Sequence, residues 1–386
     1  MTATTRLLAC LLACLLALAT AMGIGRFALT PALPHLIAEG QIDLTGASLL
    51  AAANYLGYLL GALDALFARR THARLVGGLW LCAGLTLASL LADGLAAQAL
   101  LRFGTGLASA WVLVMVTGLS QPLAAEAGRP RLGALVFTGP GVGILISGLM
   151  ALVSNRLGGD SNQLWLSYGL LASVATLALL PLLPRRGPAT PLPTTAAAPA
   201  KRSPAFNRLI LAYGLVGVGY ILPATFLSQM AASRFHGQWQ ADLFWPGYGL
   251  AAALGVVLVS LRRPGTDTRR WLIATLWLQA TGVVLCLLPG SLALFLGVLL
   301  CGGPFLACMQ LVMQYGRELA PATPQRNAGV LTASFASGQL LGPLLGAVSS
   351  HYAGNLQPAL VIAALGLLFA GLQLRSARAS LQRCIA

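Results

Sequence analysis

Two short patterns occur twice in this chain, about half a chain length apart. Residues 23–27 read GIGRF, and residues 217–221 read GVGYI. Residues 139–143 read GPGVG, and residues 342–346 read GPLLG. The offsets are 194 and 203 residues in a chain of 386. Two similar halves made of apolar segments are typical of transporters built from structural repeats, which hold their substrate between the repeats.

Composition excludes an ordinary soluble domain. Only 9% of the residues are charged and 57% are hydrophobic, whereas a soluble domain of this size carries far more polar surface. The net charge of +15 would suggest nucleic-acid binding in a soluble protein. The lipid bilayer accounts for the basic residues better, because their positions follow a topology, and we expect no nucleic-acid partner.

The apolar runs predict twelve membrane spans. Each run has roughly 18 to 30 residues, enough to cross about 30 Å of hydrocarbon as a helix. We therefore expect an all-α, polytopic membrane protein. The approximate centres of spans 1 to 12 are Leu18, Tyr55, Leu85, Trp111, Gly143, Ala172, Val218, Ala253, Thr281, Leu300, Gln339 and Gly366.

The basic residues predict the orientation of these spans. If both termini are cytoplasmic, 20 of the 24 Lys and Arg residues fall in cytoplasmic segments. The outer loops then hold only Arg156 and Arg234, and Arg26 and Arg102 lie within spans. Such a bias is the positive-inside pattern of membrane proteins. We expect a multi-pass protein of the bacterial cytoplasmic (inner) membrane with both termini in the cytoplasm.

The N-terminus allows a second interpretation as a signal peptide. Arg6 precedes an apolar run that ends in Ala-Thr-Ala at 19–21. Cleavage there would leave eleven spans and break the repeat at residues 23–27. The apolar run continues to about Ile37, which favours an uncleaved first span.

The chain divides into two halves around a linker. Residues 184–204 read PRRGPATPLPTTAAAPAKRSP, a Pro- and Ala-rich stretch with basic ends that predicts an extended cytoplasmic tether. We expect an N-terminal six-helix bundle over 1–184, a linker over 185–204 and a C-terminal six-helix bundle over 205–386. The seven cysteines form no CxxC pair, so we predict no metal site and no disulfide framework.

Several motifs carry a family resemblance. Span 5 contains a Gly-Pro-x-x-Gly turn at 139–143, and span 4 contains an arginine before a Gly-rich turn, RFGTG at 102–106. GALDALFARR at 61–70 is similar to Gly-x-Leu-x-Asp-Arg-x-Gly-Arg-Arg, although Asp64 comes one position early and Ala68 replaces glycine. With its twelve spans and basic central loop, the whole chain resembles the major facilitator superfamily. GIGRFALTPALP at 23–34 is similar to a poorly characterised bacterial branch of it.

The resemblance implies a fold and a class of function. The fold is two pseudo-symmetric six-helix bundles around a midline cavity lined by helices 1, 4, 7 and 10. The function is secondary active transport of a small molecule by alternating access. In the family, the arginine of helix 4, here Arg102, lines the cavity and takes part in proton coupling. The Gly-Pro turn is an antiporter signature, which favours efflux coupled to protons.

Arg26 and Arg102 are the leading candidates for substrate contacts. Each is a permanently charged group within an apolar span, where arginine costs about 2.5–3.5 kcal/mol, so each is expected to face an interior or water. The predicted topology puts both at a similar depth, with no Asp or Glu near mid-membrane. Two such cations favour an anionic ligand, since guanidinium pairs bidentately with carboxylate or phosphate. The alternative is that each arginine reaches the headgroups or binds backbone carbonyls freed by Pro31 and the glycines.

Uncharged polar residues within spans form a second group of candidates. Tyr220 takes the place of Arg26 in the second half, so it is expected to line the cavity or to pack. The amides Asn54, Gln310 and Gln339 need hydrogen-bond partners, which are either other helices or the substrate. The resemblance favours Gln310 of helix 10 over Gln279 of helix 9.

The motifs predict moving parts. Proline kinks a helix and glycine lets a neighbour approach closely, so two halves could rock about the Gly-Pro turns. A salt bridge of Asp64 with Arg69 or Arg70 is expected to latch the cytoplasmic face, unless Asp64 is a solvated helix end. The residues in these predictions are Gly139, Pro140, Gly143, Gly342, Pro343, Gly346, Asp64, Arg69 and Arg70.

Together these features predict a monomeric carrier without cofactor or catalytic residues. The chain has no P-loop, HExxH or GxSxG motif and no carboxylate pair within the spans, so an intramembrane enzyme is disfavoured. Proton coupling would use Asp64, an outer-face acid such as Glu39 or Asp43, or the substrate's own ionisation; otherwise the carrier exchanges substrates. Uptake by proton symport and a non-transporting sensor or scaffold remain the alternatives.

Overall fold

The structure, a computed structural model, describes residues 3–65, 67, 70–183, 203–235, 238–263, 265–321 and 324–383. Span 1 combines an α-helix over Ala3–Leu18, a π-helix over Ala19–Arg26 and an α-helix over Leu29–Ala38. Spans 2 to 12 are Leu44–Ala65, Thr71–Leu91, Gly94–Glu126, Pro130–Arg156, Ser161–Leu179, Pro204–Phe235, Trp239–Ser260, Thr268–Leu287, Ser291–Leu319, Pro324–Ala353 and Gln357–Arg383.

The predicted all-α architecture is confirmed. Eleven of the described helices are long and apolar enough to cross a membrane. Span 6, with 19 residues, is more polar at its start and packs against span 3 within the first bundle. Most of the predicted linker 185–204 lies outside the described residues, as does Arg69, so the proposed domain boundaries stay a prediction.

The two halves repeat one packing pattern. In the first half, span 1 packs on span 5, span 2 on span 4, and span 3 on spans 4 and 6. In the second half, span 7 packs on span 11, span 8 on span 10, and span 9 on spans 10 and 12. Each contact of the first half has its counterpart six spans later. The repeat seen in the sequence is therefore a repeat of helix neighbours.

The halves meet along two equivalent helix pairs, which we call the seam. Span 2 packs on span 11 and span 5 packs on span 8, and the end of span 1 also contacts span 7. Exchanging the halves turns the first pair into the second. We call the end of the bundle that holds the connection between spans 1 and 2 the distal end, and the opposite end the termini end.

Hydrogen bonds across the seam concentrate towards the distal end. Thr45 bonds to Ser350 (3.1 Å), and Asn155 donates to Asp242 (2.6 Å). Deeper in the bundle, Thr30 donates to the carbonyl of Ala224 (2.9 Å). Towards the termini end, Gln310 donates to the carbonyl of Ala134 (2.8 Å). In this conformation the distal end is closed.

Glycines allow the backbones within each half to touch. A Cβ on Gly143 would lie 2.2 Å from the carbonyl oxygen of Ala19 and 2.7 Å from Gly23 Cα. In the second half, a Cβ on Gly217 would lie 3.0 Å from Gly338 Cα. The structural counterpart of Gly143 is therefore Gly338, 195 residues later, and the GPLLG run at 342–346 lies eight residues beyond the GPGVG position.

The two Gly-Pro turns accordingly differ in structure. Pro140 occupies the first turn of a new α-helix, Gly139–Arg156, after a short 3-10 turn, a position where proline costs no hydrogen bond. Pro343 lies inside the long helix Pro324–Ala353. A Cβ on Gly342 would meet Ile221 at 2.2 Å in its own half, whereas one on Gly346 would lie 3.3 Å from Ser48 across the seam. The two prolines are thus not symmetric hinges.

Spans 5 and 8 meet across the seam through backbone atoms. A Cβ on Gly141 would lie 2.7 Å from the amide nitrogen of Ala253, and one on Gly249 would lie 2.5 Å from that of Leu145. Small residues permit such close approach of helices in lipid. By contrast, Gly247, two residues before Gly249, has nothing within 4 Å of its hypothetical Cβ.

We expect Gly249→Ala to destabilise the protein and Gly247→Ala to be neutral or slightly stabilising. The first change forces two helices apart, at a cost of about 1–3 kcal/mol, while the second only improves helix propensity by up to about 1 kcal/mol. Thermal unfolding of both variants in detergent measures the difference. Equal melting temperatures would show that spans 5 and 8 do not approach through Gly249.

Candidate functional site

Arg26 ends the π-helical segment of span 1. Pro31 lacks a backbone N–H, so it cannot donate to the carbonyl of Phe27, and the helix is interrupted at Phe27 and Ala28 before it resumes at Leu29. π-Helical segments are rare and occur often at functional sites. The Gly-rich sequence before Arg26 lets this irregular backbone pack tightly against span 5.

The guanidinium group of Arg26 lies among aromatic rings. Its Cζ atom is 3.7 Å from the ring centroid of Tyr58, 4.8 Å from that of Tyr55 and 5.1 Å from that of Phe27. The side chain is 2% exposed, and its Nε and Nη2 atoms have no hydrogen-bond partner. The faces of three rings attract the cation, while Nε and Nη2 keep no hydrogen-bond acceptor.

No carboxylate neutralises Arg26 in the described part of the chain. The two ion pairs found there are Asp64 with Arg74 and Asp267 with Arg270, both near helix ends. A buried arginine stays protonated, and an unpaired buried charge is costly. The charge of Arg26 therefore has no protein counter-ion among the described residues.

Tyr220 belongs to the second half and faces the aromatic residues around Arg26. Its ring stacks on Phe305, with centroids 4.4 Å apart, and on Phe335, at 5.4 Å. Its hydroxyl accepts a hydrogen bond from Nε2 of Gln339, whose Oε1 has no partner. The structure thus brings Tyr220 and Gln339 together, as a wall of span 7 and span 11 side chains.

Two contacts join this wall to the first half. The ring of Phe305 meets that of Phe27 edge to face, with centroids 6.1 Å apart. Tyr55, which lies beside Arg26, bonds through its hydroxyl to Thr225 (3.2 Å). Arg26, Tyr220 and Gln339 therefore belong to one cluster that straddles the seam. Phe305, Tyr55 and Tyr58 were not predicted as members of this cluster, although aromatic residues in the middle of apolar spans are a signal that could have identified them.

Arg102 has a different environment. Its side chain is fully buried, its Nη2 donates to Ser89 Oγ (2.5 Å), and its Cζ lies 4.6 Å from the ring centroid of Trp165. These partners belong to spans 3 and 6, within the first bundle, whereas the partners of Arg26 lie near the seam. Nε and Nη1 of Arg102 have no partner. That Arg102 contacts substrate stays a prediction from the family resemblance.

The remaining amides connect helices in this conformation. Asn54 donates to the carbonyl of Arg102 (3.0 Å) and to Thr105 (3.3 Å), which ties span 2 to span 4. Gln310 bridges the halves through its bond to Ala134. These amides were expected to bind either another helix or the substrate, and in this conformation each binds another helix.

Asp64 is paired, but with a residue that the sequence analysis did not select. It forms a salt bridge with Arg74 and accepts a hydrogen bond from Trp111 Nε1 (2.7 Å). Arg74 in turn lies over the Trp111 ring at 4.7 Å. Arg70 lines the same open cavity of about 680 Å³ at the termini end, and Arg69 lies outside the described residues. The shifted position of Asp64 places it opposite the first turn of span 3.

Comparison with known proteins agrees with this architecture. Residues 18–375 match the family model described as "Uncharacterised MFS-type transporter YbfB". The chain belongs to this family of MFS-type transporters. No curated protein matches the sequence.

Solved transporters share the fold. The human organic anion transporter MFSD10 (TETRAN) aligns with a TM-score of 0.66 at 16% identity, over 97% of this chain and 100% of that one. A mutant of the nucleoside transporter NupG aligns with a TM-score of 0.70 at 14% identity, over 96% of this chain and 99% of that one. At these identities the likeness establishes the MFS fold alone. The family match confirms the predicted superfamily, and the solved structures confirm the predicted fold class.

We expect the Tyr220–Gln339 pair to be coupled in stability. Tyr220→Phe removes the partner of a buried amide and costs about 1–3 kcal/mol. Gln339→Leu leaves the Tyr220 hydroxyl unpaired at a similar cost, and the double variant, which removes both groups, is expected to lose less than the sum. Thermal unfolding of the four proteins measures the coupling. Additive losses would contradict the hydrogen bond.

Proposed function

We propose that the chain is a secondary active transporter that moves a small organic anion across the membrane by alternating access. The observation that carries the anion is Arg26: a buried cation at the seam with two unpartnered nitrogens and no paired carboxylate in the described residues. Membership of the family supports transport, and the unpartnered nitrogens of Arg26 support an anionic substrate. Such a carrier is not an enzyme.

Alternating access requires a seam that opens at each end in turn. The two helix pairs of the seam, span 2 with span 11 and span 5 with span 8, provide the surfaces on which the halves would rock. Closure of the distal end by Thr45 and Ser350 represents one of the two states. With both termini in the cytoplasm of a bacterium, this state is closed towards the outside of the inner membrane.

The proposed direction is efflux by proton antiport. It rests on the Gly-Pro-x-x-Gly turn at 139–143 and on its resemblance to antiporter turns. Asp64 lies near the termini end, paired with Arg74, so it is a candidate for the proton-carrying group in a monomeric carrier. The competing proposal of proton-coupled uptake makes the opposite prediction for the direction in which a proton gradient drives the substrate.

We expect Arg26→Gln to abolish anion binding. Losing the cationic partner of a buried carboxylate costs about 2–5 kcal/mol, which raises Kd at least about 30-fold. Arg26→Lys keeps the charge and should retain part of the affinity. The measurement is ligand-induced thermal stabilisation across cationic, neutral and anionic metabolites, followed by flux in proteoliposomes with an imposed pH gradient.

Arg263→Gln serves as the matched control, because Arg263 is exposed in the connection that follows span 8. It should bind and transport like the wild type. Unchanged binding of every anion by Arg26→Gln would refute the anion site. Stabilisation by lipophilic cations alone would point to cation export, and a wild-type protein that moves nothing would favour a sensor or scaffold.

A further inference from the structure

A contact between aromatic rings joins the halves beside Arg26. Phe27 of span 1 and Phe305 of span 10 meet edge to face, with an interplanar angle of 88°. Of the ring contacts among the described residues, this one crosses from one half to the other. When the halves move apart, both rings lose this partner, so each presents an apolar surface to whatever enters.

The wall behind Phe305 is itself aromatic. Phe305 stacks on Tyr220 with an interplanar angle of 18°, and Tyr220 lies parallel to Phe335 within 2°. Phe335 then stacks on Tyr213 at 4.5 Å. Three rings in series, those of Tyr220, Phe335 and Tyr213, support Phe305 in one orientation, and the Tyr248 ring contacts it with centroids 6.0 Å apart. A planar ligand ring meets a surface that is already arranged for stacking or edge-to-face contact.

The positive charge of Arg26 lies close to the ring of Phe27. The Cζ atom of Arg26 is 5.1 Å from the ring centroid of Phe27, so a ligand bound to the guanidinium group lies next to that ring. Once the halves separate, a carboxylate that takes up the free Nε and Nη2 atoms would hold an attached ring beside Phe27 and Phe305.

The polar atoms of the cluster limit the charge of the ligand. Arg26 supplies one cation, and no carboxylate is paired with it in the described residues, so a monoanion is balanced while a dianion or a zwitterionic amino acid is not. Two neutral polar atoms of the second half, the hydroxyl of Tyr248 and Oε1 of Gln339, are buried without partners. They suit a neutral polar substituent on the ring.

We propose that the ligand of this site is an aromatic monocarboxylate, whose carboxylate binds Arg26 and whose ring inserts between Phe27 and Phe305. This inference rests on the proposed function and specifies its substrate class. Aromatic contacts add affinity beyond buried area, so the ring should be distinguished from a saturated ring of similar size.

The test compares benzoate, cyclohexanecarboxylate, phthalate and benzylamine by isothermal titration of the purified full-length protein. We expect benzoate to bind roughly 2- to 10-fold more tightly than cyclohexanecarboxylate, and both to bind more tightly than phthalate or benzylamine. Phe305→Leu should bring the two monocarboxylates to equal affinity, whereas Phe305→Tyr should keep the preference for benzoate. Arg26→Gln should abolish the binding of both monocarboxylates.

Phe295→Leu is the matched control, because Phe295 lies in the same span with half of its surface exposed, and its change should leave the preference intact. If cyclohexanecarboxylate binds as tightly as benzoate to the wild type and both depend on Arg26, the aromatic assignment is wrong and the anion site stands. If no carboxylate binds, or if benzylamine binds most tightly, the proposed anion transport fails as well. The wild-type comparison decides the matter even if Phe305→Leu does not fold.

Discussion

The structure depends on keeping the positively charged side chain of Arg26 buried. Arginine cannot release its proton at any physiological pH, so the cost of burying Arg26 must be met by its surroundings. The faces of Tyr55, Tyr58 and Phe27 meet part of it, while two nitrogens stay without acceptors. The π-helical turn, the glycines that precede it and the interruption caused by Pro31 all serve to place this group near the seam. A residue with this cost is retained most readily when a ligand uses it.

Much of the helical architecture can be predicted from the sequence because it depends on local features of the chain. Span length, the excess of apolar residues and the positions of glycine decide which segments are helices and which helices touch. Gly23 and Gly217 correspond in both sequence and structure, since each lacks a side chain at an equivalent close helix crossing. Arg26, Tyr220 and Gln339 could be selected because polar residues in apolar spans are rare, and the structure places them in one cluster.

The rest depends on contacts between segments distant in the chain. Phe305 looks like any core residue until the fold sets it between Tyr220 and Phe27. Asp64 was expected to pair with Arg69 or Arg70 because they are close to it in the sequence; its salt-bridge partner among the described residues is Arg74, and Arg69 lies outside them. The second Gly-Pro run matched the first in letters, yet Gly338 makes the equivalent contact. Short motifs recur by chance in a chain rich in glycine, and only the three-dimensional register separates the true repeat from the coincidence.

The backbone contact between spans 5 and 8 has a mechanical consequence. Where helices pack by interlocking side chains, relative rotation must lift each side chain out of its groove. Gly141 and Gly249 present no side chains of their own at the crossing, so rotation at this point displaces fewer side chains than it would in an interlocked contact. The other helix pair of the seam, span 2 with span 11, is joined at the distal end by the hydroxyls of Thr45 and Ser350. Span 5 is likewise joined to span 8 at that end, because Asn155 donates a hydrogen bond to Asp242, so the energetic barrier to opening is shared by both sides of the molecule.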